Sequence, residues 1–257
     1  MKKNTLETRA NGNITYSFAT PYDPKANILY VNVVPTYDCM NSCRFCSRTD
    51  AVKGEPNIYE QKAGANLYLP TAPSVEKVVN EIESKRKKGI LRKTREIAFV
   101  GLGEPLLQFE LVRDSIKGIR ERGYRGKIRI DTNGLVKSWY HSFPFGCLEI
   151  IERDPAKELK QVGLDEIRIS VNATTKYGYQ RLCKPRYDNA FQNLCGFVRD
   201  CIGEGIETKA SFVTDFDDEE IKSKTPDEYK NFAISLGIKQ KNIILRKYVK
   251  PIKQNNH

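Results

Sequence analysis

The sequence predicts an α/β protein built as an open, partial (β/α)6 barrel. Short β-branched runs alternate with amphipathic helical patterns along the chain, and this alternation indicates parallel strands joined by crossover helices. Six such units are too few to close an eight-stranded barrel. We therefore expect an open barrel that binds its ligands at the carboxyl ends of its strands.

Each predicted strand is a short run rich in Val, Ile or Phe. The first run, ILYVNVVP, spans Ile28 to Pro35, and the second, EIAFVG, spans Glu96 to Gly101. The other four runs are KIRIDTNG, DEIRISVNA, IETKASFVT and NIILRKYVK.

The helices between these strands are predicted from apolar period and terminal residues. SVEKVVNEIESKRKKG begins with Ser74 as N-cap, and its apolar residues fall at i, i+3, i+4 and i+7. Gly123 ends FELVRDSIKGIRERG, and Pro155 opens PAKELKQVG. Two further helices are NAFQNLCGFVRDCIGEG and PDEYKNFAISLG.

We expect one domain over residues 1–257, with a core from about 27 to 249. Two segments, about 49–69 and 136–152, do not fit the alternation. We interpret both as loop insertions over the site. The chain has no internal repeat.

Composition favours a cytoplasmic protein without a membrane span. No apolar run approaches the ~20 residues that a span needs, and the N-terminus has no apolar signal region. In a reducing compartment, seven cysteines point to metal binding or catalysis rather than disulfides. The net charge of +11 leaves three interpretations open: nucleic acid binding, docking of an acidic electron carrier, or a solvated lysine-rich surface.

The stretch YDCMNSCRFCSR places Cys39, Cys43 and Cys46 in a C-x3-C-x2-C pattern. Structural zinc needs four ligands, and the only histidines are His141 and His257. A distant cysteine could still complete a zinc site, the candidates being Cys147, Cys183, Cys195 and Cys201. Three reduced thiols without a ligand are a further alternative. A 4Fe–4S cluster held by three thiolates, with one iron open, fits the pattern better.

This pattern just after a first strand resembles the radical S-adenosylmethionine (SAM) superfamily, whose fold is an open TIM-like barrel. The resemblance implies that Cys39, Cys43 and Cys46 hold a 4Fe–4S cluster whose open iron chelates SAM. One electron then cleaves the sulfonium, and a deoxyadenosyl radical takes a hydrogen atom from the substrate. Phe45, the aromatic residue before the third cysteine, is expected near the adenine.

GLGEP, after the second strand, resembles the family's GGEP motif. It supplies Gly101, Gly103 and Glu104, with Leu102 in place of the usual glycine. The glycines allow close approach of the backbone. The resemblance implies that carbonyls of this turn and the Glu104 carboxylate accept hydrogen bonds from the SAM ammonium.

Polar residues also follow the later strands. Asn133 in DTNG, and Ser170 and Asn172 in SVNA, match family positions that contact SAM, although DTNG is also a plain Asn-Gly turn. Ser170 and Asn172 share one sheet face. Val213 in SFVT matches the position that packs on adenine, and an ordinary core valine is the alternative.

YGYQRLCKP follows the fourth strand and contains Arg181, Cys183 and Lys184. By resemblance, Arg181 or Lys184 pairs with the SAM carboxylate. Cys183 is a candidate catalytic thiol that donates a hydrogen atom, forms an adduct or holds substrate. A reduced, buried thiol is the alternative.

The order of these motifs, from about Asn27 to Val249, is similar to the radical SAM proteins named for their association with TatD-type nucleases. Three functions are weighed. The first is a radical SAM enzyme acting on RNA or a nucleobase derivative. The second is one acting on a small molecule, peptide or protein. The third is a non-catalytic zinc- or cluster-binding protein. Either enzyme needs a reducing partner, flavodoxin or ferredoxin.

Overall fold

A computed structural model describes residues 11–20, 23–52, 57–136, 140–142, 148–150 and 153–248 of the chain. Its nine strands are β1 (Thr15–Tyr16), β2 (Ile28–Val31), β3 (Glu96–Phe99), β4 (Lys127–Thr132), β5 (Tyr140–Ser142), β6 (Leu148–Ile150), β7 (Glu166–Ser170), β8 (Glu207–Thr214) and β9 (Ile243–Lys247). Seven of these form one sheet in the order β1-β2-β3-β4-β7-β8-β9. All neighbours in it are parallel except β1 and β2. β1 and β9 lie at opposite edges, so the sheet is open, as predicted.

The helices of the described residues are α1 (Arg48–Val52), α2 (Ile58–Ala63), α3 (Val75–Lys87), α4 (Phe109–Glu121), α5 (Pro155–Gln161), α6 (Lys176–Cys183), α7 (Ala190–Gly203) and α8 (Pro226–Ser235). The crossovers between successive parallel strands carry α3, α4, α5, α7 and α8, which confirms six parallel strands joined by five helical crossovers. Ser74 caps α3 as predicted, since its side chain accepts a hydrogen bond from the Lys77 amide. No described helix combines the length and apolar character that a membrane crossing requires.

Strand alternation divides the sheet into two chemically different faces. Ile97, Phe99, Ile128 and Ile130 are fully buried, and they belong to one large apolar core with side chains of α3, α4 and α7. At ~25 cal/mol per Å² of buried apolar area, this core is the main source of stability.

The opposite, inner face of the sheet is ionic rather than apolar. The Arg129 side chain is 2% exposed and pairs with Asp131 (2.5 Å) and Glu96 (3.2 Å). Glu96 on β3 is equally buried, at 3%. A closed barrel fills its interior with branched apolar residues, whereas this open barrel has compensated charges on the part of its inner face formed by β3, β4, β7 and β8.

A second group of ion pairs on the inner face surrounds Glu166 of β7. Its carboxylate pairs with Lys127, Lys209 and Arg168 from three strands. Although burial opposes ionisation, hydrogen bonds from Lys127 and Lys209 lower the pKa of Glu166 to about 2. The carboxylate therefore stays ionised and holds the strands together.

An aromatic cluster closes the β1 side of the inner face. Tyr30 stacks on Tyr16 (centroids 5.2 Å apart) and on Phe18 (5.0 Å). Because Tyr16 lies on β1, this antiparallel edge strand covers part of the barrel interior. A two-residue strand has too little alternation to be recognised in the sequence, so it is an addition to the six strands predicted.

The prediction that 49–69 is loop is wrong, because α1 and α2 lie there. The Asn57 side chain caps α2 by accepting from the Tyr59 amide, and Gly64 ends it at a φ of 56°. Helix α6 and the two-stranded ribbon of β5 and β6, in the segment 136–152, are further additions to the predicted elements. Cys147 lies outside the described residues.

We expect Arg129→Met to lower the free energy of unfolding by about 3 kcal/mol, because it leaves Glu96 buried without its main partner. Urea titration measures this change. Arg86→Met, which removes the exposed pair with Glu83, is the control and should cost less than about 1 kcal/mol. Equal losses in the two variants would contradict a stabilising role for the inner ionic network.

Candidate functional site

The three motif cysteines lie in the cysteine loop, residues 38–48, at the carboxyl edge of the sheet beyond β2. Thr36 and Tyr37, just before it, have φ values of 50° and 57°. Such left-handed backbone is uncommon for residues other than glycine and clusters at functional sites. Within the loop, Cys39, Cys43 and Cys46 are partly exposed and form no disulfide.

The GLGEP turn packs directly on the cysteine loop. A Cβ atom at Gly103, where φ is 130°, would lie 2.4 Å from the Asp38 carbonyl oxygen. The Glu104 amide donates to that same oxygen at 2.8 Å. At Gly101 a Cβ would lie 2.7 Å from Val34. Gly103 therefore allows the GLGEP turn to meet the cysteine loop, and Gly101 allows the turn to pack on the residues just after β2.

Glu104 is fully buried and braces the GLGEP turn against the end of β4. Its carboxylate accepts from the Thr132 hydroxyl (2.6 Å), the Asn133 amide (2.6 Å) and the Leu106 amide (2.9 Å). Burial raises the pKa of Glu104 to about 7, although these three hydrogen bonds lower it. The carboxylate thus changes charge in the neutral pH range.

Asn133 joins the end of β4 to the first cysteine. Its side-chain amide donates to Cys39 Sγ at 3.6 Å, and its side-chain oxygen accepts from the Leu135 amide. The Asn41 backbone amide also donates to Cys39 Sγ, at 3.4 Å. The predicted polar residue after the third parallel strand therefore lies beside the cysteine loop.

The predicted residues after β7 and on β8 lie together at the same edge. Asn172 has a φ of 60°, and its side-chain oxygen accepts from the Val213 amide at 3.2 Å. The hydroxyls of Ser170 and Ser211 approach within 3.4 Å. Asn172 thus fixes the ends of two neighbouring strands relative to each other.

Phe45 and Arg44 connect the cysteine loop to the segment after β8. The Phe45 ring lies 6.0 Å from that of Phe216, edge to face. Arg44 pairs with Asp218 (2.8 Å) and with Glu220. Nothing in the sequence pattern indicated this link, because it joins residues 174 positions apart.

Helix α6 and the two residues after it support the other side of the cysteine loop. The Ser42 amide donates to the Cys183 and Lys184 carbonyls, and the Arg44 amide donates to the Leu182 carbonyl. Asn41 donates from its side chain to the Tyr179 hydroxyl at 2.9 Å.

The side chains of the predicted residues in α6 and at its C-cap, Lys184, point in different directions. Arg181 bonds Tyr177 and Glu220 near the surface, and Lys184 is exposed. Cys183 is fully buried, and its thiol lies close enough to Cys43 to raise the pKa of the Cys43 thiol. This burial favours a role of Cys183 beside a cluster ligand over direct contact with a substrate.

Arg48 is a site residue that the sequence analysis missed. Its guanidinium donates to the Tyr37 carbonyl (3.1 Å) and the Asn41 carbonyl (2.9 Å), and it also bonds Cys46. It therefore holds both ends of the loop and places a positive charge beside the thiols. A lone arginine two residues after the third cysteine carried no signal of this role.

The donor set fits an iron–sulfur cluster. Burial and nearby Glu104 raise the pKa of Cys39 to about 12, and burial and nearby Cys43 raise that of Cys46. These thiols thus need a bound cation to become thiolates. Arg48, Asn41 and Asn133 provide N–H groups beside the sulfurs, of the kind that tunes cluster potentials.

Zinc fits less well. Among the described residues, no three His, Cys, Asp or Glu side chains converge on one metal ion. A cubane takes one thiolate per iron, so its ligands need not meet at one point. Cys195 and Cys201 are buried side chains of α7 and are not part of the cysteine loop.

Comparison with known proteins identifies the family. A model of the radical SAM superfamily matches residues 33–221, which is most of the chain. No curated protein matches significantly.

Two solved structures share the fold. SuiB of Streptococcus suis, bound to S-adenosylmethionine, is 15% identical with a TM-score of 0.56; the match covers 89% of this chain and 44% of SuiB. The FeFe-hydrogenase maturase HydG of Carboxydothermus hydrogenoformans is 14% identical with a TM-score of 0.54, over 87% of this chain and 44% of HydG. The chain thus spans less than half the length of either. These two structures show the shared fold, and the family match shows that the chain belongs to the radical SAM superfamily of enzymes, whose cofactors are a 4Fe–4S cluster and S-adenosylmethionine.

Proposed function

We propose that this chain is an enzyme that cleaves SAM reductively and removes a hydrogen atom from a substrate. The observation that carries the proposal is the meeting of three reduced thiols with Glu104 and Asn133 at one edge of an open barrel. Polar groups from β4, β7 and β8 lie at this same edge, where open α/β sheets bind ligands.

Within this proposal, the residues divide into two groups. Cys39, Cys43 and Cys46 hold the cluster. The SAM-binding residues, taken from the family motifs, are Gly101, Gly103, Glu104, Asn133, Ser170 and Asn172 for polar contacts, Arg181 or Lys184 for the carboxylate, and Phe45 and Val213 for the adenine. When bound, the cluster and SAM together supply reductive cleavage of the sulfonium and removal of a hydrogen atom.

Glu104 has a double role in this proposal. Three hydrogen bonds from Thr132, Asn133 and Leu106 fix the carboxylate against β4, and its one remaining acceptor site, on Oε2, can accept from the SAM ammonium. A carboxylate must be ionised to pair with the ammonium. Glu104 therefore links SAM binding to pH.

We also infer membership of the radical SAM proteins named for their association with TatD-type nucleases. The motif order supports this, and so does the RLCKP block, the most particular part of the resemblance. In the structure, residues 181–185 of that block bond the cysteine loop, including a bridge between Asn41 and Pro185. The RLCKP block therefore helps to hold the cysteine loop in position.

The substrate class favoured here is a small molecule, peptide or protein rather than RNA. The densest basic run ends α3, with Lys85, Arg86 and Lys87 in its last turn. That turn precedes β3 and lies towards the amino edge of the sheet, opposite the cysteine loop. The charge of +11 therefore gives little support to RNA binding at the site. Salt-sensitive RNA binding near the cysteine loop would instead favour an RNA substrate.

We expect Cys46→Ala to abolish deoxyadenosine formation from SAM, because the cluster loses one of three protein ligands. The protein is reconstituted with iron and sulfide without oxygen and reduced with dithionite, and deoxyadenosine is quantified by chromatography. Cys195→Ala, which removes a thiol from α7, is the matched control and should keep both cleavage and about four irons per chain. Cleavage by Cys46→Ala at the wild-type rate would refute the ligand assignment.

SAM affinity should fall roughly tenfold between pH 8 and pH 6. With its pKa at about 7, Glu104 is mostly ionised at pH 8 and mostly protonated at pH 6, where it no longer pairs with the ammonium. Anaerobic titration calorimetry of the loaded protein measures the affinity. Glu104→Gln should bind SAM weakly at both pH values. If this variant keeps the wild-type pH dependence, the pH dependence of SAM affinity arises from another group.

A further inference from the structure

The inner face of the sheet ends in an arginine on the edge strand β9. On β8, Ser211 and Val213 follow Lys209 of the inner ionic network at two-residue intervals, so all three point into the barrel. Arg246 of β9 lies opposite Val213 in the parallel register. Its guanidinium donates to the Ser211 hydroxyl at 3.3 Å. Arg246 therefore reaches into the open barrel near the carboxyl end of its last strand.

The charges of the inner face balance on four strands and not on the fifth. On this face β9 adds Arg246 and no carboxylate. Among the described residues, Arg246 has no ion pair, and its one side-chain hydrogen bond is that to Ser211. The inner face thus carries an excess positive charge at its carboxyl edge. Strands β3, β4, β7 and β8 contribute four cations and four carboxylates, all in ion pairs: Lys127, Arg129, Arg168, Lys209, Glu96, Asp131, Glu166 and Glu207.

Two serine hydroxyls lie beside this guanidinium and are weakly bonded. Ser211 is buried, at 4% exposure. Its hydroxyl lies 3.4 Å from the Ser170 hydroxyl and 3.5 Å from the Ile169 carbonyl oxygen. These distances are well beyond the ~2.8 Å that is usual for a hydroxyl hydrogen bond. The Ser211 hydroxyl can therefore turn its proton towards a ligand oxygen at little cost.

We propose that Arg246 and Ser211 form a subsite for a carboxylate or phosphate group of the substrate. A guanidinium presents several donors in a planar fork that matches the oxygens of either anion, and the Ser211 hydroxyl adds one more donor. The bound anion neutralises the excess charge of the inner face. This inference rests on the proposed function and deepens it, because it names the chemical group by which the substrate is recognised.

The carboxylate of SAM is the alternative ligand, and the position of β9 disfavours it. In the proposed function, Glu104 and Asn133 mark the amino-acid end of SAM, and they follow β3 and β4. Strand β9 is three places from β4 in the sheet, roughly 14 Å away at the usual spacing of strands. Val213, the proposed adenine contact, pairs directly with Arg246. Arg246 therefore lies beside the nucleoside end of SAM, which the substrate must approach to lose a hydrogen atom.

The test measures the binding of two probes, inorganic phosphate and succinate, to the full chain loaded with its cluster and SAM. NMR line broadening of each probe gives its dissociation constant. The wild type should bind at least one probe, and the tighter one identifies the anionic group. Arg246→Gln should weaken this binding about tenfold, because a neutral amide cannot replace a charge-assisted hydrogen bond. Ser211→Ala should weaken it about threefold.

Arg125→Gln is the matched control. Arg125 is also exposed and has no side-chain hydrogen bond or ion pair among the described residues, but it precedes β4 at the amino edge of the sheet. This variant should bind the probe as the wild type does. SAM affinity, measured by titration, should be the same in all these variants.

Two outcomes would overturn the subsite: no binding of either probe by the wild type, or equal losses in Arg246→Gln and Arg125→Gln. A tenfold loss of SAM affinity in Arg246→Gln would also overturn it, by assigning Arg246 to SAM. Failure of the proposed function looks different, because the reduced wild type would then yield no deoxyadenosine, whereas binding of the probes requires no reduction.

Discussion

The site depends on backbone contact between the cysteine loop and the two segments that flank it. Gly103 approaches the Asp38 carbonyl so closely that no side chain fits, and the end of α6 accepts amide hydrogen bonds from the opposite side of the loop. These contacts are short and directional, so they define where three polar, partly exposed cysteines lie. The remaining site residues take their positions from the strand ends around them.

The ionic inner face is the second constraint on the molecule. A core of ion pairs is stable only while each charge keeps its partner, so the charges of β3, β4, β7 and β8 depend on one another. This network holds the amino-terminal parts of the strands in place. The residues at their carboxyl ends are outside the network, so their identities can change without breaking it. The fold thereby separates the part of the barrel that provides rigidity from the part that binds ligands.

The sequence predicted the six parallel strands and their crossover helices because apolar period and capping residues such as Ser74 are local signals. It also predicted Cys39, Glu104 and Asn133 as neighbours, since each ends a strand or follows one. It missed α2, whose cap residues Asn57 and Gly64 also favour turns. It missed Arg48 and the pairing of Arg44 with the segment after β8 as well, because contacts between distant segments leave no periodic trace.

The contacts of the cysteine loop also have a consequence for the order of assembly. They reach partners 94, 138 and 174 positions later in the chain. Contacts so distant in sequence form late, since each must overcome the entropy of closing a long loop. During synthesis, the loop emerges long before its partners have been made. The cysteine loop therefore acquires its full set of contacts only when the barrel has folded.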